Sequence, residues 1–407
     1  MMDIKKQAFF NTVGNVVYLL SLWLLTVIAT QCLGYKAAGE LTLAMTVGNL
    51  VILIQLYGVR GFQSSDVSFQ YSPSVYFRTR LITIVAGVFL GIVSSFLIGY
   101  ARDVMVTLSL YMLFRSSEAF SDVMFGDDQR MGKLEFAGYS LFLRGIITGV
   151  LFFWGSYCFN SLHISLLFIS VGGLILTVLL DFPLYWRIVK QYIRIDYGCV
   201  CDVLKDCFPL LVTTLIPAII FAVPRVVLER WYGAELLGFY GNLSTPAMLI
   251  ITLVPNILMA ILPRYGRMVV SGDFRAISKL WLQSLLGTLF LLGICLLGAF
   301  FFGRPVLAYF YTKQILPYFH FLYYVLIAMG IYAIEICCAT VLVAMRQKFA
   351  LTVAALWSVV ICLVTSIPFV KNFGISGAIA VLVASYTMQV IFQCFYIMRV
   401  LIKTNNN

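Results

Sequence analysis

Three ionisable residues inside a hydrophobic segment of the sequence could bind a charged group. Arg115, Glu118 and Asp122 lie in an apolar run that begins at Val104 and is long enough to be a membrane-spanning helix. Their spacings of three and four residues place them on one helical face. A charge at mid-bilayer costs about 2.5–3.5 kcal/mol on insertion scales, so these side chains should face protein or water. They form either a buried ion-pair network or the polar wall of a lumen that binds a charged cargo.

The composition is typical of a helical membrane protein. Of the 407 residues, 62% are hydrophobic and 11% are charged. Many uncharged runs are longer than about 18 residues and lack alternation, which favours transmembrane helices over a barrel. We therefore predict an all-α polytopic membrane protein with about twelve transmembrane helices. Their approximate limits are 12–33, 39–58, 80–100, 104–125, 138–158, 164–186, 207–227, 238–262, 281–302, 320–344, 350–370 and 376–398.

The positive charge predicts the orientation. Of the 28 lysines and arginines, 19 fall in one set of alternate loops, including Arg60, Arg80 and Arg130, and six fall in the other set. The positive-inside rule then places both termini in the cytoplasm. We interpret the net charge of +11 as this topology signal and expect no nucleic-acid partner.

A weak internal repeat indicates two pseudo-equivalent six-helix lobes around a central cavity. The turn after the first helix has Gly34 and Gly39, and the corresponding turn of the second half has Gly233 and Gly238. Duplicated halves are common in secondary transporters, with the cargo site between them. We predict an N-terminal lobe at 1–186, a cytoplasmic linker at 187–206 and a C-terminal lobe at 207–407.

Further charges fall inside the predicted spans. Arg144 could pair with Asp122 or point into the same cavity. Asp181 lies near the cytoplasmic end of the sixth span, where it could snorkel to the interface in a structural role. Arg225 and Glu229 lie four residues apart, which predicts a local ion pair.

Glu335 lies in the middle of the tenth span, the second-half counterpart of the fourth. We expect Glu118 and Glu335 to face one another across the cavity, where a proton or a cation could couple to transport. The ten cysteines and two histidines have no metal-ligand spacing, and no phosphate-binding loop is present. We therefore predict no catalytic residue, no metal, no cofactor and no enzyme activity.

Three stretches, at 57–80, 117–145 and 208–240, resemble the bacterial polysaccharide-biosynthesis flippases that export O-antigen or capsule repeat units. That family lies within the superfamily of multidrug and toxin extrusion transporters and the lipid II flippase. The resemblance implies a two-lobed fold in the bacterial inner (cytoplasmic) membrane. It implies a cargo of undecaprenyl-pyrophosphate-linked oligosaccharide, moved to the outer leaflet by alternating access and driven by H⁺ or Na⁺. A polysaccharide polymerase and a chain-length regulator are the partners expected besides membrane lipids.

The resemblance assigns substrate-binding roles in the lumen to Arg115, Glu118, Asp122, Arg144 and Arg225. An arginine suits phosphate because its guanidinium stays charged and binds oxygens in pairs. Three alternatives remain open: a cation-coupled multidrug antiporter of the same superfamily, a membrane-embedded polysaccharide polymerase or ligase, and a structural scaffold. We expect a monomer, since the two halves supply their own interface.

Overall fold

The computed structural model describes residues 4–66, 69–189 and 199–405, and within these ranges the chain forms helices and turns without a β-strand. The all-α prediction is confirmed for this part of the chain. The α-helices in order are α1 (Ile4–Ile28), α2 (Gly34–Leu56), α3 (Val59–Ser65), α4 (Pro73–Ile98), α5 (Arg102–Arg130), α6 (Leu134–Phe159), α7 (Leu162–Leu176), α8 (Phe182–Val189), α9 (Val200–Ser244), α10 (Met248–Val270), α11 (Phe274–Tyr311), α12 (His320–Ala344), α13 (Lys348–Phe373) and α14 (Ile375–Asn405). Two π-helical turns, Ala29–Leu33 and Thr177–Asp181, and a 3₁₀ helix, Lys313–Tyr318, complete them.

By length and composition, nine helical stretches within the described ranges could cross a membrane. One of them, Phe9–Ser65, contains α1, α2 and α3 together. The polar and charged residues of α5 keep it out of this set. The eighth predicted span, 238–262, crosses the turn between α9 and α10. A polytopic membrane protein follows from these helices, while the count of twelve spans stays a prediction.

The chain forms two compact units, Met1–Ala218 and Ile219–Asn407. The boundary falls inside α9, beside Pro217, because the first part of that helix belongs to the core of the first unit. Val203 and Cys207 are fully buried there. The predicted linker at 187–206 lies partly outside the described residues, which omit 190–198, and the two six-helix lobes stay a prediction.

Gly34 and Gly233 have the same unusual backbone conformation. Gly34 has φ 86° and ψ 177° where α2 begins, and Gly233 has φ 82° and ψ 171° within α9. This region is open almost only to glycine, since a Cβ would collide with the backbone. Both are the first glycine of the repeat found in the sequence. The same interruption of helical backbone geometry, which depends on glycine, therefore recurs in each unit.

Helix packing in the first unit depends on a close approach of backbones. Gly14 of α1 faces Gly138 of α6, and a Cβ on either glycine would overlap backbone atoms of the other helix. Small residues allow membrane helices to pack without a hydrophobic driving force. This contact holds α1 against α6, while Tyr18 of α1 donates a hydrogen bond to Glu118 of α5.

Candidate functional site

The first part of the candidate site joins α5 to α1. The Arg115 guanidinium donates to the Glu118 carboxylate and to the Tyr18 hydroxyl, which lies 3.3 Å away. The Tyr18 hydroxyl in turn donates to the other oxygen of Glu118. The Arg115 and Glu118 side chains remain 13% and 11% exposed. The pair is therefore formed, and part of each side chain remains exposed.

The second part surrounds Asp122, one turn further along α5. Its carboxylate accepts from Arg80 of α4 at 2.8 Å and from Arg60 of α3 at 3.2 Å. The two arginines differ in exposure, because Arg80 is fully buried and the Arg60 side chain is 30% exposed. Arg80 also donates to the carbonyl of Gln55, whose side-chain amide donates to Ser116 at 2.8 Å. Asp122 thus links three helices through one buried and one accessible cation.

Arg144 pairs with Asp181, and not with Asp122. The two charged groups are 3.2 Å apart and each side chain is 1% exposed. The π-helical turn Thr177–Asp181 brings both of its end residues to Arg144, which also donates to Thr177 at 2.8 Å and to Ser121 at 2.7 Å. The prediction that Asp181 snorkels to the interface is wrong, since its carboxylate points into the unit and neutralises a buried arginine.

Arg130, the last residue of α5, is buried and pairs with a carboxylate. Its side chain has no exposed surface and lies 3.1 Å from the Asp66 carboxylate. It also donates to the backbone carbonyls of Asp66 and Tyr71, at 2.7 Å and 3.2 Å. The Tyr71 hydroxyl donates to Asp206, near the start of α9. Burial and this hydrogen bond raise the pKa of Tyr71, so the phenol stays protonated as the donor.

Arg60, Arg80 and Arg130, which the sequence analysis counted as loop charges, all pair with carboxylates. The omission of Arg60 matters most for the site. It is the most exposed cation in the network around Asp122. Asp122 could have indicated the role of Arg60, since a carboxylate inside a membrane protein needs a cationic partner.

Four charged side chains of the first unit are paired and partly exposed, and we call them the α5 face: Arg60, Arg115, Glu118 and Asp122. With the buried Arg80 behind it, the network has three cations and two carboxylates. Its net charge is one positive unit. This network of five residues attracts an anion while the carboxylates hold the arginines in place.

In the second unit, Arg225 forms no ion pair with a described residue. Its guanidinium lies over the ring of Phe221 at 3.9 Å and faces Tyr240 at 5.4 Å. Arg225 is 5% exposed, and its Nε and one Nη have no hydrogen-bond partner in the described part of the chain. The predicted local pair with Glu229 is therefore wrong, since aromatic rings take the place of the carboxylate.

Glu335 of α12 is held by α14 and not by a cation. One of its carboxylate oxygens accepts from the side-chain amides of Gln389 at 2.8 Å and Gln393 at 2.7 Å. Glu335 is 5% exposed and Gln393 is fully buried. Within the described ranges it has no ion-pair partner, which distinguishes it from Glu118. A buried carboxylate without a cation favours a bound proton or a small cation.

Other chemistry has little support in the described part of the chain. No group of three or more histidine, cysteine, aspartate or glutamate residues there could hold a metal ion. The ionisable side chains described above can bind charged groups and exchange one charged partner for another.

The fold is that of the transporters of the MOP superfamily. An inward-facing multidrug resistance MATE family transporter of that superfamily matches with a TM-score of 0.72, covering 94% of this chain and 96% of its own, at 14% sequence identity. The lipid II flippase MurJ in an inward closed conformation matches with a TM-score of 0.71, covering 98% of this chain and 89% of its own, also at 14% identity. Identities this low establish the fold alone.

One sequence relative matches part of the chain. The capsular polysaccharide biosynthesis protein CapF of Staphylococcus aureus is 22% identical over 252 residues, which are 60% of this chain. The match spans 62% of that relative's length. No protein-family model matches the chain. The superfamily resemblance found in the sequence is confirmed by these structural and sequence matches.

Proposed function

We propose that this protein is a flippase that moves an undecaprenyl-pyrophosphate-linked oligosaccharide repeat unit from the cytoplasmic to the outer leaflet. The observation that carries the proposal is the α5 face, where Arg60 and Arg115 are held by carboxylates and remain partly exposed. Paired arginines can bind the oxygens of a pyrophosphate without first rearranging. The match to a capsular polysaccharide biosynthesis protein supports a glycan as the rest of the cargo.

In the proposed mechanism, the pyrophosphate contacts Arg60 and Arg115 and the polyprenyl tail remains in the bilayer. Glu118 and Asp122 orient the two arginines and lower their affinity enough for release. Arg144 does not contact the cargo and acts as a positioning residue, because its pair with Asp181 is buried. Arg225 provides a second anion-binding group in the other unit, using its unpaired N–H groups.

We assign ion coupling to Glu335 before Glu118. Glu118 is neutralised by Arg115 and hydrogen-bonded by Tyr18, so an added cation would compete with a fixed guanidinium. Glu335 has only amide donors. The proposed cycle therefore uses H⁺ or Na⁺ at Glu335. It operates in the bacterial inner membrane in a monomer with both termini in the cytoplasm. A polymerase and a chain-length regulator would receive the exported unit.

A cation-coupled multidrug antiporter is the second candidate, and the match to a MATE transporter of the same fold favours it. The two functions require the α5 face to bind cargoes of opposite charge. The α5 face together with the buried Arg80 carries one net positive charge, which favours an anionic cargo. An antiporter of organic cations would instead use the carboxylates of Glu118, Asp122 and Glu335.

The test is transport in proteoliposomes loaded with an undecaprenyl-pyrophosphate oligosaccharide. An added glycosidase that cannot cross the membrane reports how much glycan has reached the outside. We expect the native protein to expose the glycan and Arg60→Gln to slow this by about tenfold or more, the effect of losing one charge-assisted contact. Arg78→Gln is the matched control, since Arg78 is an exposed arginine of α4 outside the α5 face.

Three results are informative. Normal transport by Arg78→Gln and loss by Arg60→Gln support both the function and the site. Equal transport by all three proteins retains the function and rejects the α5 face as the cargo site. No glycan movement by the native protein, with uptake of an organic cation against a gradient, replaces the flippase with the antiporter.

A further inference from the structure

A small cavity in the second unit lies where α11 reaches the membrane surface. Residues 280–303 of this helix form an uncharged stretch between Lys279 and Arg304. Its 24 residues measure about 36 Å at 1.5 Å per residue, slightly more than the roughly 30 Å hydrocarbon core of a bilayer. With Lys279 at one interface, Arg304 therefore lies at the opposite interface, among the lipid headgroups.

The side chains next to Arg304 are apolar and exposed. Phe300, Phe301 and Phe302 are 69%, 66% and 67% exposed in the last apolar turn before it. Large aromatic rings concentrate at the level of the headgroups, where one side meets acyl chains and the other meets water. The cavity therefore opens at the depth where a lipid changes from chain to headgroup.

The cavity has a volume of about 320 Å³ and lies between the end of α11, the 3₁₀ helix Lys313–Tyr318 and the start of α12. Phe319 is a buried part of its lining, and its ring packs so closely on Gly303 that a Cβ there would lie 2.8 Å away. His320 and Tyr323 also line the cavity. The volume is at the lower limit of small-molecule sites and suits a compact polar group.

Arg304 supplies the cavity with a positive charge that no carboxylate of the described residues neutralises. Its guanidinium lies 5.4 Å from the centroid of the Phe319 ring, beside the opening. A guanidinium binds phosphate oxygens in pairs, and the imidazole of His320 can add one more N–H donor. The combination of anion-binding groups with aromatic walls at this depth matches a phosphate that is attached to acyl chains.

We propose that this cavity binds the headgroup phosphate of an anionic membrane phospholipid, with Arg304 as its anion-binding group. The orientation proposed above assigns the cavity to the outer leaflet, although the site itself does not depend on which leaflet it faces. Nor does it depend on the α5 face or on the proposed cargo. A bound lipid at this position would fix the connection between α11 and α12.

The experiment titrates purified protein in mild detergent with phosphatidylglycerol and counts bound lipids by native mass spectrometry. We expect Arg304→Gln to weaken the tightest binding event by about tenfold. Lys313→Gln should bind as the native protein does, because it removes the same charge from an exposed position in the same connection. Arg304→Lys should be intermediate, since an ammonium keeps the charge and loses the paired geometry.

A second variant tests the contribution of the cavity independently of the charge of Arg304. Leu316→Trp fills the cavity from its lining without changing any charge, so it should weaken the same binding event while the melting temperature stays native. If Arg304→Gln and Lys313→Gln lose equal affinity, or if neither loses any, the attraction is not site-specific and the proposal fails.

Two competitors distinguish the sources of phosphate. Glycerol phosphate, which has the headgroup without the chains, should not displace the lipid at equal concentration. If it does, the cavity is a site for free phosphate and the lipid assignment is wrong. Undecaprenyl pyrophosphate should also fail to displace it. Displacement at equal concentration would instead make the cavity a site for the cargo lipid.

Discussion

Arg80 and Asp122 form an ion pair of unequal exposure: the distance is 2.8 Å, Arg80 is fully buried and the Asp122 side chain is 15% exposed. Asp122 is therefore both the counter-charge of a buried cation and a member of the accessible α5 face. A cation left without its partner in a low-dielectric interior is strongly destabilising. We therefore expect the carboxylate to stabilise the fold even if the cargo never contacts it.

Asp122→Asn should lower the stability of the protein by about 3 kcal/mol, the low end for a broken buried pair because Asp122 retains some solvent. The measurement is the melting temperature in detergent, followed by tryptophan fluorescence. Asp103→Asn is the control, since Asp103 is exposed near the start of the same helix. A variant Asp122→Asn that melts at the native temperature would show that Arg80 does not require this partner.

The pair of Arg144 and Asp181 should behave as a coupled unit. Arg144→Met or Asp181→Asn alone leaves one buried charge, so each should cost about 3–5 kcal/mol. The double variant should cost less than the sum of the two by about 1–3 kcal/mol. The measurement is a double-mutant cycle of melting temperatures together with glycan transport.

The same cycle tests whether Arg144 binds cargo, as the sequence predicted, or positions other residues. A double variant that regains both stability and transport supports the positioning role. A double variant that is stable but transports no glycan assigns Arg144 to the cargo. Additive effects on stability would mean that the two residues do not interact in the membrane.

Gly34 and Gly233 should resist substitution for a purely conformational reason. Outside the adjacent backbone, a Cβ at either position meets no atom within 4 Å, yet both residues have φ above 80° and extended ψ. Alanine at either one should therefore cost about 1–3 kcal/mol through backbone strain alone. Gly287→Ala is the matched control because it also has open space but lies within α11, and it should be neutral or stabilising. Equal melting temperatures for Gly233→Ala and Gly287→Ala would contradict the strain argument.

How much the sequence could predict depended on whether the signal was local. The all-helical class and most spans follow from run length and hydropathy, which each segment carries by itself. The glycine repeat was also local, because a positive φ is a property of one residue. The pattern of three and four residues correctly placed Arg115 beside Glu118, since neighbours on a helix are set by its geometry.

The partners of the remaining charges were not local, and sequence reasoning missed them. Asp122 pairs with Arg60 and Arg80, which lie 62 and 42 residues away in the chain. Counting charges by loop ignores the partners of an arginine near a helix end, whereas these two pair with a partly exposed carboxylate of α5. For Arg225 the sequence predicted a local partner that the structure does not have. An aromatic ring replaces the carboxylate there, and a spacing of four residues cannot reveal that replacement.

Glu335→Gln should uncouple transport from its driving gradient and leave the fold intact. The substitution keeps an oxygen that can accept from Gln389 and Gln393, so the contacts between α12 and α14 survive. It removes the ability to bind a proton or a cation through a negative charge. We expect accumulation of glycan under an imposed proton or sodium gradient to fall by about tenfold or more. Exchange without a gradient should continue at a rate close to native.

Glu235→Gln controls for the loss of one carboxylate, because Glu235 is an exposed residue in the same unit. The assay compares proton and sodium gradients separately, since a carboxylate held by two amides can bind either ion. Loss of exchange as well as accumulation would show that Glu335 is needed for the conformational cycle itself. Unchanged accumulation would remove Glu335 from the coupling mechanism and return Glu118 as the remaining candidate, because it is the other carboxylate that the sequence singled out for this role.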